Sequence, residues 1–300
     1  QMSNSSSITQ FLLLAFAETW QLQLLTFWFF LGIYLAALLG NSLVITTIAW
    51  DHHLHTPMNF FLLNLAIILD LGSISTTVPK AIANSLWGTR DISYLGCAAQ
   101  LFVFFISAEY FLLTVMSYDR YVAICKPLNY ETLLDSRVCV HMAAAVWVTG
   151  FLYSLLHMVN TFSLPLCQGN ALHQFFCEIP QILKLSCSHS YLRKIWFMVV
   201  SACSLFFLCF VFIVVSYAEI FRAVLRIPSE QGQHKAFSTC LPHLTVVSLF
   251  VSTSFLVNLK PPSISFPFLD LVLAVLYSLV PPAVNPLIYS MRNQEIKGAL

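Results

Sequence analysis

Charged side chains are scarce in this chain: Asp, Glu, Lys and Arg make up 9% of its 300 residues, against roughly 25% in an ordinary soluble domain. A water-soluble body of this length needs a charged coat, and 14 Lys and Arg with 13 Asp and Glu cannot supply one. The formal charge of +1 leaves no basic field for nucleic acid and no acidic field for a cationic partner. The strings that carry common enzyme chemistry are missing as well. No HExxH, GxSxG, Walker loop or GxGxxG occurs, so the chain is not read as an enzyme.

What it has is apolar length. Hydrophobic residues are 58% and aromatics 14%, opposite to the signature of disorder, so lipid is the expected solvent for most of the surface. A helix crosses the hydrocarbon core with about 20 mostly apolar residues. Seven runs of that length stand between polar or Pro/Gly-rich breaks, at about 22–50, 56–86, 97–124, 138–162, 195–225, 236–259 and 266–289. Pro79, Pro242, Pro281, Pro282 and Pro286 fall inside these runs or at their ends; in lipid they are expected to kink helices without breaking them. The reading is an all-α membrane protein, a seven-helix bundle.

Seven spans put the termini on opposite sides, and the Lys/Arg count orients them. Arg120, Lys126, Arg137, Arg222, Arg226, Lys235, Arg292 and Lys297 fall on one side, and Lys80, Arg90, Lys184, Arg193, Lys194 and Lys260 on the other, eight against six. Three of the six belong to the long 163–194 loop, which the rule counts less, so the N-terminus is placed outside and the C-terminus, with a tail from 290–300, in the cytoplasm. Asn4-Ser5-Ser6, the one N-x-S/T sequon, lies on the outer side, where glycans are added. Cys97, Cys167, Cys177 and Cys187 share that side. Four thiols in an oxidising compartment point to two disulfides, with three pairings open. Cys125, Cys139, Cys203, Cys209 and Cys240 read as small packing residues. Gln1 to Gln10 is polar with no basic start, so the first span is expected to act as the insertion signal.

Ionisable groups at membrane depth are costly and draw attention to function. Asp70, Glu109 and the Asp119-Arg120 pair stand out. With Asn41 and Asn285, the two carboxylates suit a cation or a shared proton; equally, they suit a polar core that only fixes packing. Neighbouring helical residues diverge by ~100°, so Arg120 is expected to reach another helix while Asp119 faces the membrane surface. His52, His53 and His55 lack a ligand framework beyond Asp51 and read as a solvated turn. His157, His243 and Tyr289 read as single satisfied groups on apolar faces.

Longer strings then accumulate: Leu54-His-Thr-Pro-Met58, Met116-Ser-Tyr-Asp-Arg-Tyr-Val-Ala-Ile-Cys125 with Lys126-Pro-Leu-Asn-Tyr130, Lys235-Ala-Phe-Ser-Thr-Cys240 with His243-Leu244, and Pro281-Pro-Ala-Val-Asn-Pro-Leu-Ile-Tyr289, beside Gly40-Asn41, Ser216-Tyr217 and Trp147. On these motifs the chain resembles the olfactory receptors of the tetrapod class, a branch of the rhodopsin-like G-protein-coupled receptors. The resemblance implies one receptor domain over 1–300 that binds a small volatile odorant and activates a stimulatory, olfactory-type G protein coupled to cAMP, in the plasma membrane of olfactory cilia. It implies that Asp119, Arg120 and Tyr121 meet the G protein, and that Tyr217, Asn285, Pro286 and Tyr289 carry the switch. Asp70 and Glu109 would line an allosteric sodium site, the one non-protein group implied. Cys97–Cys177 and Cys167–Cys187 would be the disulfides, and Asn4 the glycan site.

Counting from the matched motifs places the ligand among Phe102, Val103, Ile106 and Ser107 on helix three, Ser201 and Leu205 on helix five, and Val251, Ser254, Phe255 and Asn258 on helix six, with His157, Ile179, Val275 and Ser278 completing the pocket. This apolar lining with few polar groups suits a neutral odorant. No Lys lies between Phe266 and Tyr289 for a retinal Schiff base, and no carboxylate stands above Glu109 on helix three for an amine. Weak or no response to charged amines is expected, Glu178 being the only nearby substitute.

Two spacings depart from the family. Cys97 and Arg120 are 23 residues apart, two fewer than usual, and the interval from Met58 to Asp70 is one longer. In regular helices the outer part of helix three and Asp70 would then face elsewhere, unless a bulge or a tighter turn absorbs the change. Val251 stands where many receptors of the wider superfamily carry an aromatic switch residue. A secondary transporter using Asp70 and Glu109 is the alternative; it calls for paired, Gly/Pro-interrupted spans, for which nine glycines are few.

Overall fold

The computed structural model describes residues 10–14, 19–106, 109–166, 169–186, 191–258 and 267–292. Helix dominates. In chain order the helices are α1 (Trp20–Trp50), α2 (Pro57–Asn64), α3 (Leu71–Trp87), α4 (Tyr94–Ile106), α5 (Glu109–Cys125), α6 (Tyr130–Leu133), α7 (Ser136–Phe162), α8 (Ile179–Lys184), α9 (Tyr191–Val224), α10 (Glu230–Asn258), α11 (Pro267–Ser278) and α12 (Val280–Arg292). Among the described residues five helical stretches are long and apolar enough to cross a membrane, and a sixth if Leu269–Ser278 and Val280–Tyr289, bent by 40°, count as one. The run expected to be the third span is α4 and α5, with 107–108 between them outside the described residues. Large apolar side chains such as Leu39, Leu43, Val148, Phe207, Leu208 and Val215 are exposed, as a lipid-facing surface requires.

Helix ends follow local chemistry. Thr56 Oγ1 accepts the Asn59 N–H at 3.3 Å, with Pro57 on the first turn, and Asp135 Oδ1 accepts the Val138 N–H at 2.7 Å; each satisfies a donor left over at a helix start. Gly88, at φ 65°, closes α3 in the left-handed conformation. Between α2 and α3, Leu65–Asp70 forms a wider π-helical turn. Such a turn takes up one additional residue without rotating the helix beyond it. The lengthened interval before Asp70 is absorbed there, and Asp70 stays buried.

The expectation that the prolines kink without breaking needs refinement in the seventh span. Pro281 and Pro282 have no N–H to offer the preceding turn, Leu279 drops out of the helix, and α11 and α12 meet at 40°. The Leu279 N–H still bonds the Val275 carbonyl at 3.0 Å, so the chain bends rather than ends. Helix α1 packs on this bend. A Cβ on Gly40 would sit 3.1 Å from Pro286 Cβ, and Asn41 Nδ2 donates to the carbonyls of Ala37 and Pro282, both at 3.0 Å.

The fold is not purely helical. Strand β1 (Gln10–Leu12) pairs antiparallel with β2 (Asp91–Ser93), Phe11 opposite Ile92, and Leu12 also bridges Ala171. Three residues are too few to show a period-two pattern, and the partner strand is remote in the chain, so no sequence signal announced it. Phe11 and Leu13 are fully buried with Cys97, Leu101 and Ile182 beneath the loop. A larger core fills the opposite end around Leu54, Phe61, Leu113, Met116, Ile220 and Val246.

Candidate functional site

At the end of α5, Arg120 folds back onto its own neighbour. Its Nη2 lies 2.8 Å from Asp119 Oδ2, its Nε donates to the same oxygen at 3.0 Å, and Asp119 is fully buried. The expectation that Asp119 faces the membrane surface is overturned, and Arg120, expected to be able to reach another helix, pairs with its own neighbour. A ~100° divergence of Cβ directions does not stop a long guanidinium from curling back, and Asp119 is covered by α6, whose Tyr130 hydroxyl donates to Asp119 Oδ1 at 2.8 Å. Burial, then the Asp119 carboxylate, pushes the Tyr130 hydroxyl up, so it remains a donor at neutral pH. Tyr121 is half-buried, with the Lys126 ammonium 5.6 Å from its ring centre.

One helix away, His243 is a link rather than an isolated satisfied group. Its Nε2 lies 2.9 Å from the Leu113 carbonyl and its Nδ1 2.7 Å from the Tyr217 hydroxyl. A carbonyl only accepts, so Nε2 carries the hydrogen, Nδ1 accepts, and Tyr217 donates. Helices α5, α9 and α10 are thus joined by one imidazole, two turns before Arg120 along α5. Tyr289 on α12 is buried, with no hydrogen bond to its hydroxyl among the described residues.

Midway along the bundle, Asn285 Nδ2 donates to Glu109 Oε1 at 3.0 Å and to Asp70 Oδ1 at 3.2 Å. All three side chains are buried, so α12 bridges two carboxyls from α5 and the turn before α3. Asn285 Oδ1 is buried and accepts nothing among the described residues. Two carboxyl groups and an unused amide oxygen are a donor set that fits a monovalent cation or a shared proton. Beside it Tyr110 stacks on Phe206 at 4.5 Å and on Phe250 at 5.3 Å, so an aromatic layer spans α5, α9 and α10.

The outer end is tied down by the Cys97–Cys177 disulfide. Gln100 Oε1 accepts the Cys177 N–H at 2.9 Å while its Nε2 donates to the Thr76 carbonyl at 3.0 Å. Leu166 and Ser186 pair across the loop; Cys167 and Cys187, and the Asn4 sequon, lie outside the described residues.

The residues expected to line a ligand divide. His157 Nε2 and Ser201 Oγ meet at 3.4 Å between α7 and α9, and Phe102 packs edge-on against Phe151 at 5.5 Å. Leu205 and Ser254 are half-buried on α9 and α10. Val103 lies near Gly72 of α3, Ile179 is buried under the loop, Val275 packs against the cluster that holds Phe175 and Phe176, and Ser278 Oγ donates to the Ala274 carbonyl at 2.6 Å. Val251 joins the inner core, while the aromatic ring sits one residue earlier, at Phe250. Ser107 and the side chains of Ile106, Phe255 and Asn258 lie outside the described residues. His52, His53 and His55 occupy the surface turn after α1.

Sequence reasoning passed over Tyr110, Phe206, Phe250, Gln100 and the linking role of His243. His243 had a signal, its place beside the KAFSTC string; the aromatic layer had none, because three rings on three helices meet only in the packed bundle.

A family model described as olfactory receptor matches residues 30–300. Olfactory receptor 14A16 of Homo sapiens is 49% identical over 100% of this chain and 96% of its own length. Olfactory receptor 14J1 of Homo sapiens is 49% identical over 100% of this chain and 93% of its length. Olfactory receptor 1G1 of Gorilla gorilla gorilla is 45% identical over 99% of this chain and 95% of its length.

Proposed function

Because the chain belongs to the olfactory receptor family, we propose that it is an odorant receptor that couples a volatile, mostly apolar ligand in its outer bundle to a stimulatory, olfactory-type G protein and so raises cAMP. In this reading all seven runs cross the plasma membrane, ciliary in olfactory neurons, with the N-terminus outside and the tail inside. The observation that carries it is the Tyr217–His243–Leu113 link beside the Asp119–Arg120 pair. A side-chain link between helices has two arrangements, made and broken, and a ligand shifts their balance by no more than its differential affinity for them.

The chain of causes runs inward. A ligand between Phe102, His157, Ser201 and Leu205 presses on the Tyr110–Phe206–Phe250 layer. That layer displaces α10 against α5, and His243 releases the Tyr217 hydroxyl. Tyr217 and Tyr289 then turn towards Arg120, which leaves Asp119 for the G protein. A sodium ion held by Asp70 and Glu109 would supply positive charge between the two carboxylates; Asn285, which touches both, sits on the bend that must move. Cys167–Cys187 would fold the loop over the ligand.

Cells expressing the chain are expected to raise cAMP to at least one member of a volatile panel, and Arg120→Ala to abolish the rise at equal surface display. Substrate uptake with no nucleotide exchange on a G protein would favour the transporter reading instead.

A further inference from the structure

We propose that Phe175 and Phe176, adjacent rings of the 163–194 loop, are specificity-determining residues: they fill the side of the outer bundle walled by α1, α3 and α11 and confine an odorant to the side walled by α4, α7 and α9. The inference rests on the odorant-receptor reading and says which part of the bundle is left to the ligand.

Connecting segments ordinarily run over a protein's surface, yet these two loop rings are 0% and 1% exposed. They share one buried cluster with Phe30 of α1, Ile74 and Val78 of α3 and Ala274 of α11. The Phe175 ring centre lies 5.3 Å from that of Phe30 and 4.8 Å from that of Phe176, and Phe176 packs edge-on to Tyr277 of α11 at 6.1 Å. The loop therefore sends a pair of rings between three helices.

The pair is held on both flanks. On one, the Gln174 carbonyl accepts the Leu14 N–H at 2.9 Å, and Gln174 Nε2 donates to the carbonyl of Asp270, in the first turn of α11, at 3.4 Å. Leu14 is itself fixed, because its carbonyl accepts Asn84 Nδ2 of α3 at 2.9 Å. On the other flank Cys177 is tied to Cys97 of α4 by the disulfide, and its N–H donates to Gln100 Oε1 at 2.9 Å. With residue 174 and residue 177 both anchored, the two rings between them cannot leave the bundle unless those bonds break. They form part of the wall.

The two sides of the outer bundle then differ in what they offer. Between α7 and α9, His157 Nε2 and Ser201 Oγ, 3.4 Å apart, supply hydrogen-bonding groups in an apolar lining, the arrangement that orients a small neutral ligand. Between α1, α3 and α11 the volume belongs to the loop's own rings. Cutting a buried ring back leaves a cavity, because its neighbours relax only in part, and an apolar cavity stays dry and takes up small apolar molecules. The space these rings occupy is thus of the kind a volatile would otherwise use.

The test is a cAMP assay on cells displaying the full chain, with straight-chain alcohols and aldehydes of increasing length, beside thermal unfolding of the purified receptor with toluene as probe. One methylene counts about tenfold or more in an apolar pocket, so in Phe175→Ala or Phe176→Ala the response to a longer homologue is expected to gain at least about tenfold on the response to the parent's best one. Phe175→Leu, which keeps most of the volume, is expected to keep the parent's length preference. Toluene is expected to raise the unfolding midpoint of the alanine variants more than that of the parent. An unchanged length preference in both alanine variants would overturn the proposal and leave the receptor reading intact. If no alcohol or aldehyde raises cAMP in any form, the receptor reading fails for these probes; a toluene effect enlarged in the alanine variants then still upholds the filled space, and an equal effect overturns it. Should neither alanine variant fold, Phe175→Val and Phe176→Val decide by the same criteria.

Discussion

A carboxyl withdrawn from water is easier to keep protonated than ionised, and for Glu178, beside the outer disulfide, that has a consequence for stability. The group titrates at its ordinary 4.5 when the chain is unfolded and at about 8 when it is folded. Between those values the folded state holds a proton that the unfolded state has released, so stability falls as pH rises through the window and is flat on either side of it. The unfolding midpoint of the receptor is expected to drop as pH rises from about 5 towards 8, and Glu178→Gln to remove most of that slope. Residue-scale reading from sequence had mixed success for a physical reason. Asp70, Glu109 and Asn285 are conspicuous because charge and amide are rare in apolar runs, and they do meet. Asp119 and Arg120 were equally conspicuous, but their geometry was misjudged, since Cβ directions say little about where a long, flexible side chain ends.

Among elements, the second span is the instructive one. The additional residue between Met58 and Asp70 does not turn Asp70 aside, because the π-helical turn Leu65–Asp70 takes it up. Ile67, in that turn, is exposed. Deleting Ile67 is therefore expected to restore a regular α-helix, leave Asp70 on Asn285, and keep surface display within about twofold, whereas one alanine inserted after Ile67 rotates Asp70 by ~100° and lowers display more than about tenfold. Flow cytometry on intact cells measures both. Helix existence and approximate length were legible because lipid demands an unbroken apolar run. The pairing of β1 with β2 was not, because non-local strand partners leave no mark in three residues.

For the molecule as a whole, orientation follows from a charge balance of eight against six. An N-terminal epitope is expected to bind antibody on unpermeabilised cells, and Asn4→Gln to remove the mobility shift that peptide N-glycosidase produces in the parent chain. A C-terminal epitope accessible without permeabilisation would reverse the assignment. By itself the sequence determined the solvent, the helical runs, the family and the sites of scarce charge, because each of these is written in composition or in contiguous strings. The tertiary structure decided which of those groups touch: that His243 joins Tyr217 to Leu113, that three rings from three helices stack into one layer, and that Asn285 bridges Glu109 and Asp70. Contacts between residues remote in the chain depend on how ridges of side chains interlock across helices, and that is a property of the packed bundle rather than of any stretch of chain.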